Sequence, residues 1–336
     1  MKPTLRCRNV NVSLILPMIA LMGLVYHITR DRDETVLVMG QERVPDTVEM
    51  EVRAAEDTRE LHLDVNIVPS LPNPELAQPY DECMLLPESP RPGVHICPHP
   101  MANDSTISKV LKENELWEKK LIYAMDEVLK QDESLMLFDV GCNIGEYTLW
   151  AAALGRTVVS VEMLMENVLR LQMALKLSGL GDQVTIVNNP LYSDHRTLSI
   201  TFMRHHLGAS RLNVSKPFDV SHEDKTRTLE LRTICIDDLT PLMRGRNVYL
   251  KMDIENTEQH ALVCAHKFFH EVNVRVVQME WHRRVPEESE PILNFMAAHG
   301  YVASFKGKEY SPVDLRKSMG NIDVFFLKKS LFQATG

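Results

Sequence analysis

Beyond about residue 105, short unbroken apolar runs alternate with stretches in which apolar residues recur every three or four positions. LMLFDV (135–140), TVVSVE (157–162), VTIVNN (184–189), VYLKMD (248–253) and VRVVQME (274–280) are of the first kind. The second kind comprises Trp117, Leu121, Ala124, Met125 and Val128, then YTLWAAAL, then Leu164, Val168, Leu171 and Leu175. It continues with Ala261, Ala265, Phe268 and Val272, and with Ile292, Phe295, Met296 and His299. A strand that is apolar on both faces must be covered on both, so the pattern predicts a parallel sheet between helical layers. YVASF and IDVFFL close the series with no helix between them, which predicts an antiparallel last strand. Between Asn188 and Asn247 the rhythm breaks into LSITFM and LELRTICI around a polar stretch, expected as a flap.

The N-terminal part follows a different pattern. From Ser13 to Ile28 the chain reads SLILPMIALMGLVYHI, uncharged and apolar on every side, which predicts a short transmembrane segment over 10–28. Lys2, Arg6 and Arg8 precede it, whereas Arg30 and Arg32 are interleaved with acids, so residues 1–9 are expected in the cytosol and the remainder in the lumen. A cleaved signal peptide is the competing expectation, although the bulky Val25, Tyr26 and His27 make a poor cleavage site. A buried helix of the domain is the third. Residues 29–94 are acidic, proline-bearing and almost without aromatics, expected as a stem ahead of a domain over 95–330.

Composition sets the class. The 336 residues are 44% hydrophobic and 25% charged, a globular mixture. Lys and Arg number 37 against 46 acids, a net charge of -9, which disfavours nucleic acid as a partner. Of 6 cysteines, Cys7 falls on the cytosolic side. Cys83 and Cys97 flank a proline-rich segment and are the expected bridge, whereas Cys142, Cys235 and Cys264 lie in apolar runs, expected as free buried thiols. Asn103-Asp-Ser105 and Asn213-Val-Ser215 are N-glycosylation tripeptides. No metal site is expected: Pro98 and the lack of a distant partner pair argue against His95, Cys97 and His99, and His205, His206 and His222 read as solvated.

The chemistry centres on the first strand-to-helix turn, Asp139-Val-Gly141-Cys-Asn143-Ile-Gly145. Glu162 ends the second strand about 20 residues on, the spacing of an acid that grips ribose hydroxyls. A dinucleotide needs a bare second glycine, and this chain has Asn143 there. Asp139 would oppose a diphosphate but suits an aminoacyl ammonium, which favours S-adenosylmethionine over NAD. Glycines that merely make a tight turn are the bland alternative. Methyl transfer to a hydroxyl also needs a base at the strand ends, where Asp253 and His282 are the candidates, with Lys251, Glu255 and Glu280 positioning acceptor and cofactor. Glu258 is expected to act on a helix dipole. Trp281 could stack on a sugar or sit in the core.

DVGCNIGEYTLWAAALGRTVVSVE, NNPLYSD, TICIDDL, KMDIENTE and VVQMEW, in that order, resemble the blocks of the FkbM family of S-adenosylmethionine-dependent O-methyltransferases in its animal, membrane-anchored form. The resemblance spans about residues 95–327. It implies a Rossmann-like class I methyltransferase fold with a mostly parallel seven-stranded sheet. It also implies that Asp139, Gly141, Asn143 and Gly145 line the methionine end, Glu162 the ribose, and the Asn188–Leu191 turn, with Asn189 and Leu191, the adenine. Two departures are Met163 where proline is usual and Asn256 where glycine is usual. The expected function is secretory-pathway O-methylation of a glycan or glycolipid by a single-pass type II protein of the Golgi or endoplasmic reticulum. A lumenal glycosyltransferase is an alternative, although the Asp-x-Asp triplet Asp31-Arg-Asp33 lies in the stem. A catalytically silent module that binds cofactor or glycan is another.

Overall fold

The computed structural model describes residues 25–31, 34–40, 61–72, 82–203, 207, 210–213, 229–281, 286–306, 310–312, 315 and 322–329. The chain divides into a unit over Met1–Glu60 and a larger one over Leu61–Gly336. In the first, strands β1 (Val25–Asp31) and β2 (Glu34–Gly40) pair antiparallel. This corrects the expected transmembrane helix at its end, since Val25–Ile28 is extended; residues 10–24 lie outside the described residues. No described helix is long and apolar enough to cross a membrane.

The larger unit opens with three short strands, β3 (Ile67–Val68), β4 (Met84–Leu85) and β5 (His95–Ile96), and the helices α1 (Ile107–Lys112) and α2 (Lys119–Gln131). The alternating series follows: β6 (Leu135–Val140), α3 (Glu146–Ala153), β7 (Val158–Val161), α4 (Met165–Ser178) and β8 (Val184–Val187). Strands β9 (Thr197–Thr201), β10 (Arg211–Leu212) and β11 (Glu230–Arg232) form a small antiparallel sheet in the order β10-β9-β11. The chain returns through α5 (Thr240–Met243), β12 (Asn247–Met252), α6 (Glu258–Ala261), α7 (His266–Glu271) and β13 (Asn273–Trp281). It ends with α8 (Pro286–Ala298), β14 (Tyr301–Lys306), β15 (Tyr310–Pro312) and β16 (Ile322–Lys328).

Among the described residues, nine of these strands make one sheet in the order β15-β14-β16-β13-β12-β6-β7-β8-β3, which corrects the expected seven, because the short β3 and β15 extend its two edges. The five strands from β8 to β13 are parallel, and β16 runs antiparallel between β13 and β14, as expected for the last strand. Alternate residues feed two cores. Leu135 and Leu137 of β6 pack with Leu129, Leu149 and Leu171, whereas Met136, Phe138 and Val140 pack with Phe268 and Ile292. Continuous apolar runs form the central strands because both faces are buried.

Three further expectations are corrected. The segment expected as a stem up to residue 94 partly belongs to the folded unit: β3 pairs with β8, and Leu86 and Val94 are buried in the core. The helix expected through Ala261, Ala265, Phe268 and Val272 is interrupted by a 3-10 turn at Leu262–Cys264. Cys83–Cys97 is a disulfide, but so is Cys235–Cys264, which leaves Cys142 as the free, buried thiol among the described residues. A strand-like run around Cys235 and a helical period around Cys264 concealed that the two meet.

Candidate functional site

A cleft of about 280 Å³ opens at the carboxyl ends of β6, β7, β8, β12 and β13, where the strand order reverses between β6 and β12. Its wall includes Gly141, Asn143, Glu162, Asn189 and Leu191, and also Lys251, Asp253, Glu255 and Glu280. Nine of the residues singled out in the sequence therefore share one cavity. Gly145 and Asp139 sit behind the wall, and His282 lies outside the described residues.

The turn after β6 is built from left-handed backbone: Gly141 has φ 77, Asn143 φ 50 and Gly145 φ 92. A Cβ on Gly141 would lie 1.8 Å from the Asp253 carbonyl oxygen, so the bare residue there admits the end of β12. A Cβ on Gly145 would meet Leu171 of α4. Both glycines thus serve packing within the chain. The turn is also clipped to the second strand. Glu162, buried at 6% exposure, accepts the Asn143 N–H at 2.9 Å and the Leu164 N–H at 2.8 Å, one on each carboxylate oxygen. Burial pushes its carboxyl up, while those two backbone bonds and the Asn167 amide pull it down.

Asp139 is fully buried, and its Oδ2 accepts the Thr148 hydroxyl at 2.6 Å. It corrects the expectation of a group lining the methionine end, because α3 covers it. Its influence passes through Lys251, which the parallel register sets beside it. The Lys251 ammonium, 6% exposed, donates to the Gly141 carbonyl at 3.1 Å and to Asp253 Oδ2 at 3.3 Å, and lies over the Tyr147 ring at 5.2 Å. Burial alone would lower its pKa, but Asp253, Asp139 and Glu118 outweigh it and hold the ammonium charged well above the usual lysine range.

Four cleft residues carried no sequence signal for this role: Trp117, Glu118, Glu146 and Tyr147. Tyr249 donates to Gln278 Oε1 at 2.7 Å, Gln278 Nε2 donates to the Tyr147 oxygen at 3.1 Å, and Tyr147 donates to Glu118 at 2.7 Å. Burial pushes Glu118 up. It pushes Glu146 to about 8, although the Trp117 N–H bond opposes this. Behind them Asp323, opposite Glu280 in the β13–β16 register, is raised to about 7 by burial and by Glu118, Asp253 and Glu280. Only the hydrophobic period was visible for Trp117, and it assigned that residue to a helix that begins at Lys119.

The remaining candidates resolve structurally. Trp281 is 2% exposed and packs on Phe326, which makes it core. Glu258 is buried, and its Oε1 accepts the Ile254 N–H at 3.0 Å. Asn256 has φ 67, a left-handed position where asparagine is the residue best able to replace glycine, so that departure keeps the turn. His99 is buried against Asn167 at 2.7 Å, and Cys97 is in a disulfide. Asn189 Oδ1 accepts the Asn66 N–H at 2.7 Å, and its amide donates to the Asp64 and Arg232 carbonyls, so the early segment braces the cleft wall at Asn189. Leu207, Ser210 and Leu212 bring the small sheet to the cleft.

Among the described residues, the cleft wall sets six carboxyl side chains, Glu118, Glu146, Glu162, Asp253, Glu255 and Glu280, against the single ammonium of Lys251. Even with Glu146 held neutral by burial, such a wall repels a diphosphate and suits a ligand bearing a sulfonium and an ammonium. The donor set therefore fits S-adenosylmethionine.

Comparison with known proteins bears on the same residues. Residues 139–303 match the family model described as Methyltransferase FkbM domain. No curated protein matches the chain. Solved structures that resemble it include an S-adenosylmethionine-dependent O-methyltransferase from Thermotoga maritima, at 12% identity and a TM-score of 0.34, with 70% of this chain and 72% of that one covered. Another is the magnesium protoporphyrin IX methyltransferase of Synechocystis PCC 6803, at 11% identity and a TM-score of 0.35, with 67% and 86% covered. A third is a precorrin-6y C5,15-methyltransferase from Geobacter metallireducens, at 11% identity and a TM-score of 0.31, with 58% and 80% covered.

Proposed function

This chain carries a methyltransferase FkbM domain and is an S-adenosylmethionine-dependent methyltransferase; from that premise we propose that it methylates oxygen, on a hydroxyl of a glycan or glycolipid, within the secretory pathway. The observation that carries the oxygen assignment is the convergence of Lys251, Asp253, Glu255 and Glu280 on the cleft that also holds Glu162 and the Gly141–Asn143 turn. When bound, S-adenosylmethionine supplies an electrophilic methyl group on a positively charged sulfur.

The chain's own residues divide the remaining work. Glu162, held by two backbone N–H groups, is rigid enough to orient ribose hydroxyls, and Asn189 and Leu191 wall the adenine side. Asp253 is the base that takes the acceptor's proton at a carboxylate oxygen, with His282 the second candidate on sequence grounds. Lys251 holds Asp253 in place, and Glu255 and Glu280 position the acceptor. Proton removal by a placed carboxylate contributes roughly 10²–10⁴-fold.

Location in the lumen is supported by the two disulfides, Cys83–Cys97 and Cys235–Cys264, since such bonds persist in oxidising compartments. The uncharged run ahead of β1 is proposed as the membrane attachment. Two measurements test the whole reading. The full chain should bind S-adenosylmethionine by calorimetry, and cells with and without the gene should differ by about 14 Da, the mass of one CH₂ unit, on a glycan or glycolipid. Binding without any such mass difference would leave the methyltransferase fold and overturn the glycan acceptor.

A further inference from the structure

Away from the cleft, three side chains from distant parts of the sequence meet at the surface: His62 from the first residues of the folded unit, His195 from the turn after β8, and Asp238 from the 3-10 segment Ile236–Leu239. One ligand atom from each lies within 4.8 Å of the other two. The imidazoles of His62 and His195 are stacked at 3.9 Å with an 11° angle between planes, and His195 Nε2 lies 2.7 Å from Asp238 Oδ2. Asp238 Oδ2 also accepts the Cys235 N–H at 2.7 Å, and Cys235 is tied to Cys264, so the carboxylate is held by the backbone. His62 is exposed, whereas His195 and Asp238 are half-buried, which leaves a path from solvent.

The geometry points to a divalent transition-metal site, with Zn(II) as its ion and His62, His195 and Asp238 as three protein ligands. Two imidazoles and a carboxylate are borderline donors that favour zinc over magnesium or calcium, and water completes four-coordination. Ligand bonds of about 2.1 Å in a tetrahedron place ligand atoms about 3.4 Å apart. The 2.7 Å contact must open and the others close, and His62 must tilt out of the stack, because parallel rings cannot both aim a lone pair at one ion. Asp238, bonded to the Cys235 N–H, is already oriented in the way metal-binding carboxylates are.

Occupancy would close a clasp between the early segment and the loops under the adenine side of the cleft. Asp64, two residues after His62, pairs with Arg232 at 2.9 Å, and its carbonyl accepts the Asn189 amide. A second cluster, Asp253, Glu258 and Glu280, is all carboxylate, with Asp253 3.3 Å from Lys251, so it is a harder and separately mutable set.

The test uses the full chain without a histidine tag, stripped with a chelator. Calorimetric titration with Zn(II) should show one site of micromolar or tighter affinity, and Co(II) should give the intense visible bands of a tetrahedral ion. His62→Ala and His195→Ala should each weaken zinc binding at least tenfold and abolish the cobalt bands. Melting in the absence of metal should stay within a few degrees of the parent for His62→Ala, whose exposed ring stacks on His195 and accepts the Asp64 N–H at 3.2 Å. Equal zinc uptake by the parent and the His62→Ala/His195→Ala double variant would overturn the proposal, as would no zinc binding by the parent. Neither outcome bears on the methyltransferase reading.

Discussion

Glu146 shows how far one buried carboxyl can depart from its sequence neighbours. It sits in the first turn of α3, where an acid ordinarily stabilises the helix dipole, yet burial raises it to about 8. Between an unfolded value near 4.5 and the folded value near 8, the native chain keeps a proton that the unfolded chain has lost. Stability contributed by this group is therefore full at low pH and declines as pH rises through that window, then levels off. Glu146→Gln keeps an acceptor for the Trp117 N–H without ever ionising. Its melting temperature should exceed the parent's at pH 9 and match it near pH 4.5, a gap on the order of a few kcal/mol at high pH. A gap of equal size at both pH values would contradict the raised pKa. At the same scale, Gly141 was legible as a turn residue, but the reason for it was not. The space it leaves is filled by the Asp253 carbonyl, more than a hundred residues away in sequence.

At the scale of elements, the hydrophobic period placed the central strands and the helices that cover them. It failed where a covalent tie competes with it. Ala261 and Phe268 do fall in the core, but the turn at Leu262–Cys264 divides their helix, and Cys264 is bonded to Cys235. A run of apolar residues looks the same whether its cysteine is a packed thiol or half of a bridge. The separation of 29 residues implies that this bond removes loop entropy worth about 3–4 kcal/mol from the unfolded chain. The Cys235→Ala/Cys264→Ala double variant should melt well below the parent by calorimetry and lose the parent's sensitivity to reductant at that site. A variant as stable as the parent would mean that the bridge contributes nothing to the fold.

For the whole molecule, the boundary of the folded unit matters more than any single strand. A domain starting at residue 95 would lack β3, the Cys83–Cys97 bridge, the buried Leu86 and Val94, and the bonds that hold Asn189 at the cleft. A chain beginning at Leu61 should melt within a few degrees of the full protein and bind S-adenosylmethionine equally. One beginning at His95 should lose at least tenfold in cofactor affinity and melt far lower; equal behaviour of the two would show that residues 61–94 are only a spacer. Periodicity along the chain determined the alternating fold, the antiparallel last strand, and the strand ends that carry Gly141, Glu162, Lys251, Asp253 and Glu280. These are local properties, because each element must bury its own apolar face. Tertiary structure alone decided that Asp139 is covered, that Trp117, Glu118, Glu146 and Tyr147 line the cleft, that Cys235 meets Cys264, and that His62 stacks on His195. Those pairings join segments tens to more than a hundred residues apart, and nothing periodic in the sequence records which distant segments the packed sheet brings together.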